Sequence, residues 1–170
     1  LSANTTGYSN VAVGYLALYS TTNGSEHNTG VGNQAVYSNT TGDFNIGLGS
    51  SALYTNTTGN NNVAIGYQAL RQSTTASNNV AIGYHANRNN TTGHSNVSAG
   101  DSALYANTTG YRNVAIGRSA LYAVTDGANN TALGYAALLN VTGGARNVAL
   151  GKGTGTNITS ANNNTYVGMN

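Results

Sequence analysis

The 170 residues carry six Lys and Arg, four Asp and Glu and a net charge of +2, so that 6% of the chain is charged where about 25% is usual. That balance offers no field for nucleic acid. The absence of Cys excludes disulfides, zinc thiolates and thiol nucleophiles together, and no apolar run approaches the ~18 residues of a membrane helix.

Asn (28), Thr (23) and Gly (23) supply more than two-fifths of the chain, and they recur in step. An Asn that opens an N-V-A-I-G motif stands at Asn10, Asn28, Asn45, Asn62, Asn79, Asn96, Asn113, Asn130, Asn147 and Asn164, separated by 18 residues once and by 17 thereafter. Four residues after each anchor comes a glycine: Gly14, Gly32, Gly49, Gly66, Gly83, Gly100, Gly117, Gly134, Gly151 and Gly168. Such a fixed period is the signature of a stacked repeat architecture.

With the anchor as position 0, each unit reads in chain order as strand, glycine corner, strand and turn. The first strand is N-V-A-I, in which two aliphatics (Val63 and Ile65, Val114 and Ile116) flank a small residue (Ala64, Ala115). The alternation predicts the aliphatics in a core and the small residue against a close neighbour. The glycine supplies a positive φ or a close approach of backbone. A second strand is predicted at x-A-L-Y, as in Ala52-Leu53-Tyr54, Ala103-Leu104-Tyr105 and Ala120-Leu121-Tyr122. The N-T-T-G segment is a turn rich in residues that bond their own backbone. It also takes the one extra residue, near Thr22-Asn23-Gly24-Ser25.

No window shows helical spacing of apolar residues. Two short strands per 17 residues predict an all-β chain, a parallel β-solenoid of about ten coils stacked about 4.8 Å apart. Equal positions would form ladders of Asn, Gly, Ala and Tyr. Residues 1–170 read as one repetitive segment. Leu1 is not Met, the tenth copy stops at Met169-Asn170, and no capping element is visible, so a longer repetitive fibre is expected. Each coil has few apolar side chains to set against the entropy of ordering it. A homo-oligomer with rotational symmetry about the rod axis is therefore expected, with the Ala and Gly face as its interface.

The N-V-A-I-G motif with its following Ala (Asn62 to Gly66 with Ala69, Asn113 to Gly117 with Ala120) resembles the head repeats of trimeric autotransporter adhesins. The longer unit with A-L-Y-x-N-T-T-G is similar to repeats of phage-like tail fibres. The resemblance spans essentially the whole chain and departs in its longer period. It implies a left-handed β-roll with three chains around one axis, an extracellular or virion location, and attachment to host or matrix glycans. The alternatives are a tail-fibre shaft with no ligand of its own and an ice-binding solenoid, which would present Thr in flat arrays at the coil spacing.

No catalytic constellation stands out, and no enzyme, cofactor or metal is expected. His27, His85 and His94 occupy unrelated phases. Glu26 and Asp43 share the phase two residues before their anchors, so they could stack as a carboxylate pair of the kind that glycan-cleaving solenoids use; two solvated loop carboxylates are the plainer reading. The candidate ligand contacts are the +5 tyrosines Tyr15, Tyr67, Tyr84 and Tyr135, together with Arg71 and Arg88, which replace the +9 tyrosine on adjacent coils. Aromatic ladders interrupted by cations, as also at Arg118 and Lys152, suit glycans; alternatively the long side chains only cover a strand. Twelve N-x-[ST] sequons occur, with Asn4, Asn39, Asn56, Asn90 and Asn107 at one loop position as possible glycan acceptors. A composition this rich in Asn and Thr also makes sequons by chance.

Overall fold

The computed structural model describes residues 4, 6–22 and 24–169. The expectations placed on Leu1, on Asn23 in the second-copy turn and on Asn170 lie outside the described residues. Ten three-residue strands follow one another: β1 (Val11–Val13), β2 (Thr29–Val31), β3 (Ile46–Leu48), β4 (Val63–Ile65), β5 (Val80–Ile82), β6 (Val97–Ala99), β7 (Val114–Ile116), β8 (Thr131–Leu133), β9 (Val148–Leu150) and β10 (Thr165–Val167). They form a single sheet in chain order. Every pairing is parallel and joins equal positions, as where Val63, Ala64 and Ile65 lie beside Val80, Ala81 and Ile82. The protein is an all-β parallel solenoid of about nine turns, with no helix among the described residues.

The strand faces opposite to the expectation. Ala64, Ala81, Ala115, Ala132 and Ala149 at position +2 are fully buried, while Val31, Ile46, Ile82, Val97, Ile116, Val148 and Leu150 are exposed. The reason is the narrowness of the coil. Position +8, occupied by Leu53, Leu70, Leu104, Leu121 and Leu138, fills the interior from the other side. At Gly47, in position +2, an added Cβ would already stand 2.6 Å from the Val36 side chain. Only Gly, Ala or Ser therefore fits at +2 in a coil closed by Leu or Val, and the β-branched residues turn outward.

The second strand is absent. The residues at +6 and +8 adopt left-handed backbone (Ser51 φ 55°, Leu53 φ 53°; Ser102 φ 55°, Leu104 φ 57°), and this segment is a run of turns. It still bonds from coil to coil. Leu53 donates its N–H to the Ala69 carbonyl of the next coil (3.0 Å), and Ser51 donates to the Asn33 carbonyl of the previous one (2.8 Å). The left-handed steps turn both Ala52 and Leu53 inward, which an extended strand with alternating faces cannot do. Each coil is closed by the +4 glycine, whose φ lies between 119° and 139°. A Cβ on Gly49 would stand 2.6 Å from the Gly66 carbonyl oxygen, so the corner excludes any side chain.

Two Asn files hold the remaining corners. Each anchor from Asn28 to Asn147 is fully buried. Asn62 receives, at its Oδ1, the backbone N–H (3.1 Å) and the side-chain amide (3.2 Å) of Asn79. Its own Nδ2 donates to Asn45 Oδ1 (3.1 Å) and to the Ala76 carbonyl (2.8 Å). The second file, at position +11, holds Asn39, Asn56, Asn90 and Asn107. Asn56 donates to Asn39 Oδ1 (2.9 Å) and Asn107 to Asn90 Oδ1 (2.9 Å). Both files meet on shared carbonyls: Gly93 accepts from Asn79 and from Asn90, each at 2.9 Å. The extra residue of the second copy leaves the ladder intact, since Asn28 still donates its backbone N–H to Asn10 Oδ1 at 2.9 Å.

Candidate functional site

Stacking of equal positions converts the +5 and +9 columns into continuous surface files. At +9 the rings of Tyr19 and Tyr37 stack 5.2 Å apart, and those of Tyr37 and Tyr54 stack 5.0 Å apart. Arg71 then lies over Tyr54 with its guanidinium carbon 5.2 Å from the ring centre. Arg88 lies over Tyr105 at 6.0 Å, and Tyr105 stacks on Tyr122 at 5.2 Å. With interplanar angles of 4–10° in the tyrosine pairs, the rings cover one another's faces.

The four +5 tyrosines are exposed, Tyr15 most of all, but they do not form one surface. Tyr67 and Tyr84 stack on each other at 5.4 Å. Tyr135 is covered by Arg118 at 5.9 Å, and Tyr15 stacks on no ring or guanidinium among the described residues. Of the four, Tyr67 and Tyr84 come together with the +9 file, at Arg88 and Tyr105, while Arg71 lies over Tyr54. The join is His85 at +6, whose ring centre is 3.9 Å from Tyr84, 5.5 Å from Tyr67 and 5.9 Å from Tyr105. Gln68, also at +6, accepts a hydrogen bond from Arg88 Nε (2.8 Å), and Asn89 Oδ1 accepts from Arg88 Nη1 (3.0 Å). Burial, and then the Arg88 charge, hold His85 below the usual imidazole value. Sequence reasoning missed Gln68 and His85, because only stacking shows that +6 of one coil reaches +9 of the next.

Glu26 and Asp43 do lie on adjacent coils, as their shared phase predicts. The Asp43 carboxylate accepts the Glu26 backbone N–H at 2.8 Å, which ties it to the scaffold. His27 stands beside Glu26 (3.9 Å between Nδ1 and Oε2) and stacks on Phe44 at 4.8 Å. Glu26, mainly by its hydrogen bond, also raises the Tyr8 hydroxyl above the usual phenol value. A cavity of about 510 Å³ opens far away, at the last coil, and is lined by Thr154, Ile158 and Tyr166 among others. None of the candidate ligand-contact residues borders it; of the ladder glycines, Gly168 does.

The sequon asparagines Asn39, Asn56, Asn90 and Asn107 are fully buried, which corrects their reading as surface glycan acceptors. Their Nδ2 atoms, where a glycan would attach, are spent on internal bonds such as that from Asn90 to the Gly93 carbonyl. Asn4 is half-buried and bonds Gly7 in the same way. The neighbouring threonines also divide. Thr57 donates its hydroxyl to the Thr74 carbonyl (3.0 Å), whereas Thr58 is exposed. One exposed Thr file, Thr41, Thr58, Thr75, Thr92 and Thr109, spans five consecutive coils and gives way to Asp126, Gly143 and Ser160, not a flat array two residues wide.

Neither protein-family models, curated proteins nor solved structures match this chain. The geometry on the rod's own surface therefore carries the functional argument.

Proposed function

We propose that the chain is a structural segment of an extracellular fibre or adhesin, in which three copies pack along their exposed strand faces and present the outer files for attachment to host or matrix glycans. One observation carries this reading: the aliphatics at +1 and +3 form an outer band from Val11 to Val167, with at least one in every coil, exposed or half-buried, and with Thr29, Thr131, Thr165 and Ala99 set among them. At strand spacing the band is about 10 Å wide and about 43 Å long. Apolar bands of that extent on a protein surface mark interaction surfaces. A second and third copy of the same band match it in length and period, and rotation about the rod axis closes the assembly. This moves the interface from the Ala and Gly face, which each coil buries within itself, to the aliphatic face. The three-chain, left-handed winding of the adhesin-head repeats that the motif resembles has the same closure.

Light scattering behind a sizing column tests the assembly. The expected native mass is three times 17.2 kDa, falling to one chain that retains its β-signal in the Ile82→Asp/Ile116→Asp variant. A wild-type chain that is folded and monomeric contradicts the proposal.

A further inference from the structure

We propose that the middle coils carry one discrete binding site for an acidic glycan, in which the carboxylate of a uronic-acid-type sugar bridges the guanidinium groups of Arg71 and Arg88. The inference rests on the glycan-attachment reading above and narrows it from a repeating surface to one place and one ligand class.

The +9 file supplies the argument. Elsewhere it is filled by Tyr, Leu or Thr, and only at Arg71 and Arg88 do cations enter it, on consecutive coils. Equal positions of neighbouring coils are about 4.8 Å apart, so two like charges are held side by side. Among the described residues no carboxylate forms an ion pair with either. The described ion pairs are His27 with Glu26 and Arg118 with Asp101, and neither includes these arginines. Two adjacent unpaired cations repel each other until an anion lies between them.

The two groups are also pre-organised. Tyr54 lies against Arg71 and Tyr105 against Arg88, so the guanidiniums are bracketed by rings along the file. Gln68 and Asn89 fix the plane of Arg88, leaving its other N–H donors free. Arg71 Nε is buried without a partner. Planar donors held in this way suit a carboxylate.

The surroundings select a sugar. Gln68 bonds both Arg88 Nε and the Tyr67 hydroxyl, and the exposed Tyr67 and Tyr84 rings meet the half-buried His85, so that hydroxyl, amide and imidazole groups stand beside the Arg88 end of the site for the hydroxyls of a pyranose. Nucleic acid is disfavoured, because two cations on a chain of net charge +2 cannot follow a phosphate backbone.

Calorimetric titration of the native assembly tests the site, using a galacturonic acid hexamer, a neutral galactose hexamer and a single-stranded oligonucleotide. The acidic hexamer is expected to bind, with the neutral one at least roughly tenfold weaker. R71Q/R88Q, with its native mass unchanged, should lose roughly tenfold or more, while R71K/R88K falls between and R146Q binds as the wild type does. Equal binding of both hexamers, unaffected by R71Q/R88Q, overturns the acidic site and leaves glycan attachment standing. Equal binding of the oligonucleotide overturns the glycan class. Binding of neither hexamer overturns the site and the attachment reading, while the native mass decides the fibre separately.

Discussion

Between Leu18 and Ala86 the buried apolar cluster draws on positions +2, +7 and +8 alone, whereas between Ala103 and Ala149 it also includes Val124 and Val141 at position +11. Up to Asn107 this third corner is closed by amide-to-amide bonds, from Asn56 to Asn39 and from Asn107 to Asn90, interrupted at Ser73; beyond it, Val124 and Val141 close the same corner with aliphatic packing. The coil tolerates both because the anchor file continues through each half. Asn45 holds the Gly59 carbonyl at 2.7 Å and Asn130 holds that of Gly144 at 2.7 Å. The invariant Asn and Gly files therefore specify the coil, and position +11 only fills it.

The boundary between the halves is chemically distinct. Asn87 takes the +8 place of Leu, fully buried and with neither Nδ2 nor Oδ1 partnered. Ser98 takes the +2 place of Ala in the next coil and bonds the Val80 carbonyl at 3.3 Å. Wherever the +11 Asn file stops, an acceptor is orphaned: Asn56 Oδ1 faces the coil of Ser73, and Asn107 Oδ1 faces that of Val124.

The comparison can be broken most strongly at the shared file. Asn62→Ala and Asn130→Ala each unpair several buried groups. Each should cost about 3 kcal/mol or more, equally in the two halves, as read from urea midpoints at one protein concentration. A loss confined to one half would show that the anchors are not the common scaffold. Second, Asn87→Leu should join the two apolar clusters and stabilise the chain by about 2 kcal/mol, with slower amide exchange from residue 86 to 98; an unchanged midpoint would mean that the buried amide is satisfied. The smallest effect is at +11. Ser73→Asn completes the file between Asn56 and Asn90 and should add about 1 kcal/mol, whereas Val124→Asn extends it against Val141 and should lose a similar amount. Equal signs for the two would remove the distinction between the halves.

The period, the parallel stacking and the glycine corner were legible in the residues, because each depends on equal positions recurring. The direction of the strand was not. V-A-I reads the same whichever face is inside, and the decision belongs to Leu53 or Leu70 across the coil, whose left-handed backbone no alternation rule anticipates. At the surface, Arg71 and Arg88 were visible as departures from the Tyr file. His85 and Gln68 became their neighbours only once +6 and +9 of successive coils were seen to adjoin. The sequons misled for a physical reason: the N-T-T-G asparagine is a buried corner brace, and its amide is already bonded.

The central claim is that the aliphatic strand face is where copies meet. The chain contains no cysteine, so a single Cys reports without background. Oxidation of Ile82→Cys should link two chains of the assembly, while Thr75→Cys, in the exposed turn, should remain unlinked under the same conditions. Linkage at residue 75 with none at residue 82 would contradict the account.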